Sequence, residues 1–245
     1  ALRACGRLVE GDDRDRFAGF VRALGVPALA RLGWEPSEGE SDLDRQLRGV
    51  LIGLVAVLGA DTDAQARSRL LFERSLAGEE ISADVLAAVT EVVAATGTEA
   101  DFDRFVERFE HADTPQEKLR SLYALASFPT ADLVRRACEF AFSGRVKTQN
   151  APLLLNRCIA HRDHGALAWS IVRQHWAEAN ERFPSNMIIR MVQPVATLNR
   201  PQDEADVQGF FAEHAIEQSA KTLEQVLERQ RVNVALRARE GDSLI

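Results

Sequence analysis

The sequence predicts an all-α fold, an α-solenoid of stacked antiparallel helix pairs. Three observations carry that prediction. Apolar residues recur at helical spacing along nearly the whole chain, while strict two-residue alternation never lasts more than a few positions. Glycine and proline punctuate the chain at intervals of roughly one to two helix lengths, leaving short connections that make sequential helices neighbours. Alanine, leucine and arginine are abundant and aromatic residues make up only 7% of the 245, a composition that favours helix over strand. No strict repeat consensus is visible, so the repeats are structural rather than legible by self-similarity.

In chain order, Asp12 to Gly33 carries Phe17, Phe20, Val21, Leu24, Leu29 and Leu32, with interruptions expected at Gly25 and Pro27. The run Gly33-Trp34-Glu35-Pro36 opens a loop. Ser41 then caps the strongest periodic segment, with Leu43, Leu47, Val50, Leu51, Leu54, Val55 and Leu58 expected on one inward face, ended by Gly59. Asp61 or Thr62 starts a helix bearing Ala66, Leu70, Leu71 and Leu76. Ser82 to Asp84 starts another bearing Val85, Val89, Val92 and Val93. After Gly97 and Thr98 comes a helix with Phe102, Phe105, Val106 and Phe109.

Thr114-Pro115-Gln116-Glu117 is a helix start: threonine caps, proline suits the first turn and glutamate complements the dipole. Ser143 and Gly144 close a later helix, and Pro152 lies in the first turn of the next. One helix is expected to carry both Trp169 and Trp176 and to end at Phe183-Pro184. Met187 to Leu198 follows, bent by Pro194. Val207, Phe210 and Phe211 belong to the penultimate helix. The last runs from about Gln218 to Arg239, with Leu223, Val226, Leu227, Val234 and Leu236 inward.

Net charge −7 and a pI near 5.4 exclude nucleic acid as the main partner, because phosphate binding needs a basic surface. No apolar run approaches a membrane span, and the N-terminal residues show no signal peptide. Without an initiator methionine, the chain reads as a fragment or processed product. Cys5, Cys138 and Cys158 cannot all pair, and the latter two read as buried thiols in a reducing, cytoplasmic setting.

Catalytic signatures are missing: there is no HExxH, GxSxG, P-loop or GxGxxG. Cys158, His161 and His164 form the nearest approach to a metal or nucleophile cluster, against the favoured reading of a buried thiol and two helix-end histidines. Trp169 and Trp176 are either a stacking platform or, as favoured, core packing. The connector Gly144 to Asn150 places Arg145, Lys147, Gln149 and Asn150 beside a helix N-terminus, where backbone N–H groups are expected to be unpaired. It reads as a site for a carboxylate or a peptide backbone, or as a solvated turn. Tyr123, the only tyrosine, could meet a substrate or bond a carbonyl.

The succession EKLRSLYALASFP, FAFSGRVKTQN and HGALAWSIVRQHW, with GWEP, LDRQLRGVLIGLVAVLGADTDAQARSRLLFE, ISADVLAAV and TLEQVLERQRVNVALRARE, resembles the C-terminal domain of the aminopeptidase N family of zinc metallopeptidases. The puromycin-sensitive and endoplasmic-reticulum aminopeptidase branch is the nearest in appearance. The resemblance implies a single domain, residues 1–245, built as an α-α superhelix of HEAT-like pairs curved into a bowl. It implies a chamber wall over the zinc-bearing catalytic domain of a larger enzyme that trims peptides. In this chain it implies no catalytic residue, no metal site and no cofactor of its own. The partners implied are that catalytic domain and peptide substrates, with Arg145, Lys147, Gln149, Asn150 and Tyr123 as candidate peptide contacts. Two other readings stay open: a free-standing HEAT-like protein-interaction scaffold, and a self-sufficient enzyme around Cys158, His161 and His164.

Overall fold

A computed structural model describes residues 2–241. Fourteen α-helices account for most of them, and no strand occurs among the described residues. The chain divides into two compact units, residues 2–124 and 125–241.

The first unit holds α1 (Leu2–Cys5), α2 (Asp13–Leu32), α3 (Asp42–Gly53), α4 (Thr62–Leu76), α5 (Ala83–Ala95), α6 (Glu99–His111) and α7 (Pro115–Ala124). Helix starts follow the expected caps. Ser41 Oγ accepts from Asp44 N at 3.1 Å and Asp61 Oδ1 accepts from Ala64 N at 2.9 Å. Thr98 and Asp101 form a reciprocal capping box. Helices α3 and α4 both pack on α5, and α6 packs on α7, as short connections require. Phe72 of α4 and Phe105 of α6 stack at 5.5 Å within this core.

Two local expectations are corrected here. Helix α2 runs unbroken through Gly25 and Pro27. A Cβ on Gly25 would lie 2.7 Å from Val55 Cγ2, so the glycine is a place of close helix approach, not a break. Helix α3 passes after Gly53 into a π-helical turn, Leu54–Leu58, and the segment ends at Gly59 as expected. Its apolar stripe is only partly inward. Leu51 and Val55 are buried, whereas Leu43, Leu47 and Val50 are 76%, 46% and 59% exposed. On α4, Leu70 likewise faces out while Leu71 is buried.

Arg48 lies where the exposed leucines were expected, with no exposed surface. Its Nε donates to Gly33 O at 3.0 Å, one terminal nitrogen donates to Leu32 O at 3.1 Å, and both terminal nitrogens bind the Glu40 carboxylate. This arginine satisfies carbonyls at the end of α2 and fixes the loop that leads into α3.

The second unit holds α8 (Ala131–Phe142), α9 (Ala151–Ile159), α10 (Gly165–Gln174), α11 (Trp176–Arg182), α12 (Ser185–Val192), α13 (Pro201–Glu213) and α14 (Ala220–Glu240). Helices α8 and α10 pack on each other and on α9, which also carries α12; α14 packs on the 3₁₀ segment Gln193–Thr197. The helix expected to carry both tryptophans is two helices, hinged at His175 (φ −101, ψ 19). Pro194 ends α12 by converting the chain to 3₁₀ geometry. On α14 the buried positions include Gln230, whose Nε2 donates to Leu198 O at 3.0 Å.

Candidate functional site

The connector between α8 and α9 is set by its ends. Ser143 Oγ donates to Phe140 O at 2.7 Å, and Gly144 takes φ +81, the left-handed geometry that closes a helix. Val146, 2% exposed, pins the middle of the loop into the core. Arg145 and Lys147, on either side of it, are therefore directed to solvent, and Gln149 is exposed as well. The Arg145 guanidinium lies 4.9 Å from the Phe140 ring centroid, a cation–π contact that orients it.

The expectation of unpaired N–H groups at the start of α9 is not met. Asn150 N and Ala151 N both donate to Lys147 O, at 2.8 and 3.0 Å; Leu153 N and Leu154 N both donate to Asn150 O at 3.0 Å. Pro152 has no N–H. A tight turn thus pairs the donors that the start of α9 would otherwise offer to an anion. The Lys147 ammonium has no partner among the described residues. Arg145, Lys147, Gln149 and Asn150 lie together in this one connector of the second unit. Tyr123 lies on α7 of the first unit, half-buried.

The histidine and cysteine residues are arranged for structure. Cys158 is fully buried against Cys138, and the hydrogen bond between the two thiols, then burial, pushes its pKa well up. That is the opposite of nucleophile activation. His161 Nδ1 accepts from Asp163 N and His164 N, at 3.2 and 3.1 Å, so its ring closes the α9–α10 turn. His164 stacks on it at 5.0 Å and points Nε2 at Pro129 O, 3.1 Å away. Among the described residues, no group of three or more His, Cys, Asp or Glu side chains could hold a metal ion.

Trp169 is 1% exposed and donates from Nε1 to Asp206 Oδ2 at 3.0 Å, while Arg173 binds Asp206 Oδ1 at 2.9 Å. Both tryptophans pack edge-on against Phe210, whose ring stacks on His214 at 4.1 Å. Trp169 is therefore core with a satisfied polar tip, not a ligand platform.

Sequence reading missed a cleft in the first unit. It holds about 250 Å³ between α4, α5, the turn at residues 78–81, α6 and α7. Arg108 and Arg120 line it, with Phe72, Ile81 and Leu86 as its apolar wall. Burial pushes the Arg120 pKa down; Glu117 acts to raise it and Arg108 to lower it. No sequence signal marks this site, because its residues come from five separated segments.

Residues 1–232 match the sequence model of the ERAP1-like C-terminal domain. Aminopeptidase M1-A of Oryza sativa subsp. japonica is 29% identical over 213 residues, which is 84% of this chain and 24% of that protein. Glutamyl aminopeptidase of Rattus norvegicus is 28% identical over 233 residues, covering 91% and 24%. Alanine/arginine aminopeptidase of Saccharomyces cerevisiae is 23% identical over 214 residues, covering 85% and 25%. The chain spans about a quarter of the length of the curated relatives it matches.

Proposed function

The chain belongs to the ERAP1-like C-terminal domain family, and on that premise we propose that it is the helical, chamber-forming part of a zinc aminopeptidase. The observation that carries this reading is a match running through both units to aminopeptidases of rice, rat and yeast. The described residues offer no ligand set that fits zinc. In this reading the zinc ligands, the catalytic acid and the groups that recognise a peptide N-terminus lie elsewhere in a longer polypeptide. This chain would supply a curved wall that admits extended peptides and excludes folded proteins, and its partners would be the catalytic domain and peptide substrates.

Within that wall, the Arg145–Asn150 connector is the proposed contact for the far end of a peptide. Exposed cations with one unpartnered ammonium suit a terminal carboxylate. Tyr123 is a second candidate contact. A reducing compartment, the cytoplasm, belongs to the same proposal, supported by Cys138 and Cys158 lying buried as thiols.

The test is made on the complete gene product. An HExxH-bearing segment joined to this chain, one zinc per polypeptide and release of N-terminal residues from peptides are the expected results. Deleting this chain should alter the dependence of kcat/KM on peptide length more than it alters hydrolysis of aminoacyl anilides. A gene product without a zinc-binding motif would favour a free-standing helical scaffold, and an unchanged length dependence would remove the chamber role.

A further inference from the structure

The cleft of the first unit carries charges of both signs, and their pairing is uneven. Glu79 is held by Arg74 through both carboxylate oxygens. Glu117 accepts from Thr114 Oγ1 at 3.0 Å and sits 3.6 Å from Arg108. Two charged lining groups remain without a hydrogen bond or ion pair among the described residues: the half-buried Arg120 guanidinium and the exposed Glu80 carboxylate. They do not pair with each other across the cleft. An anion alone would meet three carboxylates there, and a cation alone would meet two guanidiniums. A ligand bearing one charge of each sign satisfies both unspent groups at once.

We propose that this cleft binds a zwitterionic α-amino acid with an apolar side chain. Its carboxylate lies at Arg120 and Arg108, its ammonium at Glu80, and its side chain against Phe72, Ile81 and Leu86. The volume supports this size class, since about 250 Å³ falls below the roughly 300–1,000 Å³ of sites for drug-sized molecules. Ser121, buried on α7, also lines the cleft. Planar guanidinium groups suit a carboxylate through paired hydrogen bonds, which fixes the ligand's orientation.

Isothermal titration of the 245-residue chain with L-leucine tests the assignment. Leucine should bind, while leucinamide, lacking the carboxylate, and N-acetyl-leucine, lacking the ammonium, should each bind about tenfold more weakly or worse. Inorganic phosphate should not displace leucine. Arg120→Gln should weaken leucine by about tenfold or more, with circular dichroism reporting an intact fold. Glu80→Gln, on an exposed turn, provides the second variant if Arg120→Gln does not fold, and should weaken leucine while leaving N-acetyl-leucine unchanged. Absence of leucine binding, wild-type affinity in Glu80→Gln, or displacement of leucine by phosphate would each overturn the proposal, the last by revealing a plain anion site.

Discussion

Arg48 shows how one side chain can hold an element boundary that periodicity cannot reveal. Reading the segment as an apolar helix placed leucines inward and left an arginine at position 48 as an unremarked polar residue. The structure instead buries it, because the end of α2 presents carbonyls at Leu32 and Gly33 that need donors, and Glu40 supplies the countercharge. Truncating Arg48 to alanine should therefore cost about 2–3 kcal/mol in urea unfolding, since two carbonyls and a carboxylate lose their partner together. The hydrogen bond from Arg48 lowers the Glu40 pKa below its ordinary value of 4.5. A carboxylate with a depressed folded pKa stabilises the fold above its unfolded value, and that contribution disappears as pH falls through the folded one. The urea midpoint should thus drop below pH 4.5 more steeply in the wild-type chain than in Glu40→Gln. Equal slopes would mean that the pair contributes no linkage. Cys158 teaches the same lesson in reverse: its burial was legible from the apolar pattern around it, but its contact with Cys138 from the neighbouring helix was not.

Elements were largely legible, and the faces they turn inward were less so. Caps at Ser41, Asp61, Thr98, Thr114 and Thr130 fix where helices start because a side-chain oxygen three residues back is a local, sequence-readable device. Which part of a broad apolar stripe is covered depends on neighbours, and no local rule supplies those. On α3 the contrast is testable: Leu51→Ala should lose about 2–4 kcal/mol, while Leu47→Ala, at a half-exposed position, should stay within about 0.5 kcal/mol. A similar loss at both would place Leu47 in the core after all. Gly25 was read as a helix breaker, yet α2 passes through it, and the glycine makes room for Val55 of the π-helical turn after α3. Helix propensity alone would have Gly25→Ala stabilise α2 by up to about 1 kcal/mol. The 2.7 Å approach to the stiff, buried Val55 side chain reverses the sign, and a loss of about 1–3 kcal/mol is expected. A gain in the urea midpoint would show that the two helices can separate without cost. The break at His175 was missed because the surrounding residues keep helical spacing across it. His175 packs on Phe142 at 4.6 Å, a contact that only the folded second unit provides, and its Nδ1 lies 2.9 Å from Glu178, three residues on.

At the scale of the whole molecule, fold class and family could be read from residue order, whereas a binding cleft assembled from five segments could not. The proposed peptide contact lies between these cases. Its residues are contiguous, so their clustering was legible, but the consumption of the α9 N–H groups by Lys147 O and Asn150 O was not. That finding sharpens the prediction. With the N–H groups of Asn150, Ala151, Leu153 and Leu154 already paired, the prediction rests on side-chain charge, and the Lys147 ammonium has no partner among the described residues. In the intact enzyme of the proposed reading, Lys147→Ala should reduce kcat/KM for long peptides by about tenfold if the contact is desolvated, or by about two- to fivefold if it stays hydrated. Aminoacyl anilides, too short to reach the connector, should be cleaved at the wild-type rate, so the ratio of long to short substrates should fall. Arg145→Ala should have a smaller effect, because its guanidinium is already engaged over Phe140. Lys147→Arg should restore most of the ratio, since charge rather than shape carries the contact. Raising salt should narrow the difference between wild type and Lys147→Ala, as screening weakens an exposed ion pair. Equal losses on both substrate lengths would point to a structural role for the connector, and no loss on either would leave it an ordinary turn between α8 and α9.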